Sequence, residues 1–162
     1  MVRPGLLRQT TDFSAIIPHG MRRRTLFTAL FVAAAAALAG GCGGPMTPDE
    51  LSRSIQTLES TAAEGAFLAD DVADDRTKAT FARVHARDLG DVVQHEAEKL
   101  NDAQANRADV ATAKKKAIDL ADKIDTALGQ IQTAPGDESG AATAGHQLSQ
   151  YRENAGKLAE GL

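Results

Sequence analysis

Residues 107–132 read RADVATAKKKAIDLADKIDTALGQIQ, and this stretch decides the fold. Val110, Ala113, Ala117, Leu120, Ile124, Leu128 and Ile131 recur at steps of three and four, the spacing that lines one face of an α-helix. The polar residues between them, including Lys114-Lys115-Lys116, fall on the other faces and read as a solvated surface. Asn106 is a candidate cap at the start of this helix, and Thr133-Ala134-Pro135-Gly136-Asp137 closes it and makes a loop.

Three further helices are predicted outward from this one. Thr47-Pro48-Asp49-Glu50 is the strongest start signal in the chain: a capping threonine, a proline in the first turn, and a glutamate that completes a capping box. The helix it opens carries Leu51, Ile55, Leu58, Ala62 and Ala69 on one face, with Phe67 opposite and Gly65 weakening the later turns. Asp70-Asp71-Val72-Ala73-Asp74-Asp75 reads as a break, with Asp74 or Asp75 capping a second helix that runs to about Ala105. The buried stripe expected there is Phe81, Leu89, Val92, Val93 and Leu100. A last helix, from about Glu138 to about Ala159, places Ala141, Ala144, Leu148, Tyr151, Ala155 and Leu158 together. Gly140, Gly145 and Gly156 make it the weakest helix former of the four. No strand alternation appears and the connections are short, so the expected fold is all-α, an antiparallel up-down-up-down four-helix bundle over residues 47–162. A three-helix bundle with a loose C-terminal segment is the alternative.

Before the bundle stands Met21-Arg22-Arg23-Arg24, the uncharged run Thr25 to Ala39, and then Gly40-Gly41-Cys42. A basic start, a short apolar run and small residues before a cysteine make an export signal. The stretch resembles a bacterial lipoprotein signal peptide, with Ala39 where leucine is commonest, three before the cysteine. The resemblance implies cleavage between Gly41 and Cys42, and acylation of Cys42, commonly with palmitate among the chains. An ordinary secretory signal cut nearby, leaving Cys42 free, is the alternative. Arg23-Arg24-Thr25-Leu26-Phe27 is also similar to a twin-arginine signal, although Arg22 departs from that pattern, so two export routes stand open. The expected organisation is therefore 1–20 as a start-site artefact or extended n-region, 21–41 as signal peptide, 42–46 as lipidated cysteine and tether, and 47–162 as the domain. Gly43 to Met46 reach at most about 14 Å, which would hold the domain close to the extracytoplasmic face of a membrane.

Residues 43–162 carry 13 Lys plus Arg against 21 Asp plus Glu, a formal charge of −8. Such a body gains nothing from phosphate backbones, which argues against a nucleic-acid partner. Cys42 is the only cysteine, so no intramolecular disulfide is available and stability must come from packing. No apolar run after Cys42 is long enough to span a bilayer.

Candidate chemistry is sparse. Asp91 and His95 stand four apart and could clamp a metal, with His85 a turn and a half earlier. Ferritin-like di-metal bundles place a glutamate three residues before each ligand histidine. Here those positions hold Ala82, Val92 and Thr143, ahead of His85, His95 and His146, so no metal or other cofactor is expected. No glycine-flanked nucleophilic serine accompanies these groups, and catalysis is not expected. Phe67, Phe81 and Tyr151 are the only aromatics after Cys42, too few to wall a large apolar pocket. The expected function is an anchored interaction or structural module meeting an envelope protein or cell-wall polymer, with a small-ligand carrier or metal-binding bundle as the alternative.

Overall fold

The computed structural model describes residues 45–162; the signal stretch and the predicted lipidation site Cys42 lie outside the described residues. Four helices follow one another: α1 (Pro48–Ala73), α2 (Ala79–Asp102), α3 (Ala108–Thr133) and α4 (Glu138–Glu160). No strand occurs among the described residues. Thr47 caps α1 as its sequence implies. Its hydroxyl accepts from the Glu50 amide at 3.2 Å, and the Glu50 carboxylate accepts from the Thr47 amide at 2.8 Å. Asp137 opens α4 in the same way, accepting from the Gly140 amide at 3.1 Å.

Cross-helix neighbours fix the direction of each helix. Met46 at the start of α1 donates its amide to the Gln104 carbonyl, just past the end of α2, and Glu64 meets His85 farther along, so α1 and α2 are antiparallel. Lys114 reaches Ala103, and Gln94 reaches Asp125, which sets α3 antiparallel to α2. Gly145 abuts Ala69, and Gly156 abuts Glu59, which sets α4 antiparallel to α1. The fold is thus an up-down-up-down four-helix bundle. α4 packs more extensively on α1 than any other pair packs, so the three-helix alternative is set aside. α1 touches all three other helices, while α2 and α4 do not meet.

Close approach explains that arrangement. Gly65 lies where α1, α3 and α4 converge, and a Cβ placed there would sit 2.7 Å from the Leu128 Cδ2 and 3.2 Å from the Leu148 Cδ1. α1 therefore continues as a regular helix through Gly65 to Ala73, with no irregular last turns. Leu51, Ile55, Leu58, Ala62 and Ala69 are all buried, as are the seven residues of the α3 stripe. In α4, Ala141, Ala144, Leu148 and Ala155 are buried, whereas Tyr151 and Leu158 are partly so.

Four local expectations are corrected. Asp70 to Ala73 form the last turn of α1 instead of a break, because Val72 still reaches the core at 4% exposure. Asp74 ends α1, and Asp75 adopts a positive φ of 52°. Neither caps α2, whose first flanking residue is Lys78 with no side-chain cap. α3 likewise follows Arg107, with no side-chain cap from Asn106. Lys114 is not a solvated bystander of its run: its ammonium donates to the Ala103 carbonyl at 2.8 Å and satisfies the exposed end of α2.

The α2 stripe is the largest correction. Leu89, Val93 and Leu100 are buried, but Phe81 is 58% exposed and Val92 42% exposed. The side turned inward also carries Ala82, Ala86, Gly90 and the carboxylate-bearing Glu96. A Cβ on Gly90 would stand 3.3 Å from the Asp125 carboxylate, so this face is held close to α3 and has little room for bulk.

Candidate functional site

The feature that packing leaves unexplained is the outer face of α2. Phe81, Val84 and Val92 recur at helical spacing along one side, and all three are exposed. Phe67, on α1, is the only other large apolar side chain of comparable exposure among the described residues. No such side chain occurs on α3 or α4. Single exposed apolar residues are ordinary on a protein surface, whereas here three share one helix face.

The face is held in place at its edge. The His85 ring stacks on Phe81 with centroids 5.4 Å apart and 27° between planes. Its Nε2 lies 3.0 Å from the Glu64 Oε1 on α1. The chain Glu64, His85, Phe81 therefore fixes the aromatic ring against the bundle and leaves its outer surface to solvent. Arg83, Arg87, Asp88 and Asp91 are exposed on the same helix, and Arg87 and Asp88 approach at 3.4 Å.

The candidate metal clamp does not assemble with His85. That imidazole is engaged by Glu64 and Phe81, while Asp91 and His95 point from exposed positions farther along α2. His85 and His95 are ten residues apart, about 15 Å along the axis. Among the described residues no group of three or more histidine, cysteine, aspartate or glutamate side chains is placed to hold an ion. The aspartate-rich turn is likewise committed: Arg76 bridges Asp71 at 2.9 Å and also pairs with Asp74.

Depressed carboxylate pKa values occur at helix ends and not at a reactive centre. The backbone amide of Thr47, then its hydroxyl, hold Glu50 below the usual range. The Arg107 guanidinium does so for Asp109, and the Gly140 amide for Asp137. All three act in capping or terminal pairs, which is a structural use of charge.

Clefts lie between α3 and α4. One of about 370 Å³ is lined by Lys116, Asp119, Leu120, Lys123, Asn154, Lys157 and Leu158. Another of about 520 Å³ runs past Ala108, Asp109, Lys157 and Leu162. Both are open grooves with charged rims, unlike the enclosed apolar chamber that a carrier of apolar ligands would use. None of the four helices is long and apolar enough to cross a membrane.

Sequence reasoning expects Phe81 and Val92 in the buried stripe and so does not find the outer face of α2. The signal that could have found it is the row Ala82, Ala86, Gly90, whose small side chains mark the direction of closest helix approach. No family model matches the chain, and comparison with curated proteins and with solved structures finds no match.

Proposed function

We propose that this protein is a lipid-anchored component of a bacterial cell envelope, held to the membrane through acylated Cys42, and that its acidic four-helix bundle is an interaction module. The observation that carries the second half is the exposed apolar row Phe81, Val84 and Val92 on a bundle whose own core is closed. The open, charged-rimmed grooves between α3 and α4, unlike an enclosed apolar chamber, support binding through a surface over a ligand held in a pocket. The first half rests on the sequence Met21 to Cys42 alone. It is compatible with a body that has no spanning helix among the described residues and begins four residues after the cysteine. Two acyl chains are enough for stable anchoring.

Both halves have a direct test. Metabolic labelling with a fatty acid marks the natural chain and not Cys42→Ser, which is released or mislocalised; label retained by the variant removes the anchor. A photo-crosslinking residue at position 81 captures a protein neighbour in intact cells, whereas the same residue at position 147, on the α3–α4 side, does not. Equal capture at both positions refutes the α2 face as the contact surface.

A further inference from the structure

Positive charge in this acidic body gathers in one quarter of it. The seven lysines and arginines of residues 107–162 all fall within 107–123 and 151–162, and none falls between 124 and 150. α3 and α4 are antiparallel, so the two segments lie side by side, at the end of the bundle where the Met46 amide meets the Gln104 carbonyl and the chain arrives from Cys42. Together they carry five acids, a formal side-chain charge of +2, while the remainder of residues 43–162 carries −10. Lys116 and Lys123 are seven apart, two helical turns, and so share one side of α3. With Lys157 on α4 they line the groove of about 370 Å³ between the two helices, where Asp119 is the one acid. Lys114, by contrast, is turned to α2. Among the described residues none of the three groove lysines has an ion-pair or hydrogen-bond partner, unlike Lys99 and Lys114. Ammonium groups gathered in this way repel one another until an anion comes between them.

We propose that this groove seats the phosphate headgroups of anionic lipids, so that the bundle lies on its α3–α4 side against the membrane with its acidic remainder turned away. The inference rests on reading Cys42 as the membrane anchor, and adds how the body meets that membrane. Charge complementarity selects a phosphate-bearing surface, and nearness to the tether selects the leaflet over a cell-wall polymer. The reach is sufficient. With α3 and α4 on the surface, the start of α1 stands one helix layer above it, about 8–10 Å. Gly43 to Met46 reach about 14 Å, which spans that height. A basic patch beside an acyl anchor adds a second hold on an anionic surface, and the −10 carried elsewhere is repelled by the same surface, so both parts of the charge distribution favour one orientation.

The full chain, isolated from cells and reconstituted into vesicles, tests this through the rate at which a water-soluble acetylating reagent modifies each lysine, read by mass spectrometry. On phosphatidylcholine mixed with phosphatidylglycerol, Lys116, Lys123 and Lys157 should react roughly fivefold more slowly than on phosphatidylcholine alone. High salt should erase the difference. Lys78, at the far end of the bundle, and Lys99, at the near end but on α2, should react alike on both vesicles. In a Lys116→Gln, Lys157→Gln chain, which changes two exposed positions, Lys123 should lose its protection. Equal rates on the two vesicles for the three groove lysines overturn the proposal. So does equal slowing of Lys99, or protection of Lys123 that survives in the double variant. Protection by soluble poly(glycerol phosphate), with none from the anionic vesicles, overturns it in favour of a cell-wall polymer. Failure to float with phosphatidylcholine vesicles refutes the acyl anchor instead: flotation and protection on the anionic vesicles alone would still support the groove, and flotation on neither overturns both.

Discussion

Gly65 and Gly129 are both helical glycines, yet replacing each with alanine should move stability in opposite directions. In a helix interior alanine is favoured over glycine by roughly 1 kcal/mol. At Gly129 nothing lies within 4 Å of the added Cβ, so that gain should appear nearly whole. At Gly65 the added carbon would stand 2.7 Å from the Leu128 Cδ2 and 3.2 Å from the Leu148 Cδ1, against an ordinary carbon separation of about 3.5–4.0 Å. Leu128 is 1% exposed and Leu148 is fully buried, so neither has solvent to retreat into. Overpacking of this kind costs about 1–3 kcal/mol, which exceeds the propensity gain and leaves a net loss of about 1 kcal/mol. The two variants should therefore differ by about 2 kcal/mol, or roughly 6–10 °C in Tm for a domain of this size. Urea unfolding followed by circular dichroism measures it, with unchanged m-values showing that the folded and unfolded states are otherwise alike. In a Leu128→Val background, which removes the obstructing methyl, the penalty at Gly65 should largely vanish. If Gly65→Ala stabilises as much as Gly129→Ala, the three-helix convergence at this position is wrong.

Ser54 is fully buried and its hydroxyl has no hydrogen-bond partner among the described residues, so Ser54→Ala should stabilise the bundle by about 1 kcal/mol in the same urea assay. Thr47→Ala should cost about 1 kcal/mol by removing the α1 cap, and a variant as stable as the parent would show that the capping box contributes nothing. Because the folded-state pKa values of Glu50, Asp109 and Asp137 lie below the usual carboxylate range, their stabilisation is present above that range and is lost as the pH falls through the depressed values. Tm should fall accordingly on acidification below about pH 4, and the fall should be shallower in a Glu50→Gln, Asp137→Asn variant. Replacing His85, Asp91 and His95 together by alanine should leave the response to zinc or copper unchanged, with no rise in Tm for either protein. A site filled at 100 times its dissociation constant would instead stabilise the natural chain by about 2.7 kcal/mol, and a rise confined to it would establish a metal site.

The sequence by itself determined the number of helices, their class and most of their core, because those depend on local periodicity and on end signals that act within a few residues. The α3 stripe from Val110 to Ile131 is an uninterrupted helical period, and Thr47 with Glu50 forms a cap from groups three residues apart. Charge and the cysteine count were equally legible, and with them the expected absence of a disulfide. Only the tertiary structure decided which side of α2 is buried. Bulk suggests one phase, but the buried side carries Ala82, Ala86 and Gly90 beside Leu89, Val93 and Leu100, with a Cβ on Gly90 only 3.3 Å from the Asp125 carboxylate of α3, and Phe81 and Val92 face outward. The cap that Lys114 supplies to α2 was illegible for the same reason, since donor and acceptor are eleven residues apart and meet only when α3 folds back along α2. Gly65 makes the same point. Its local effect is to weaken a helix, and its actual use, to admit Leu128 and Leu148 between backbones, exists only once three helices have converged.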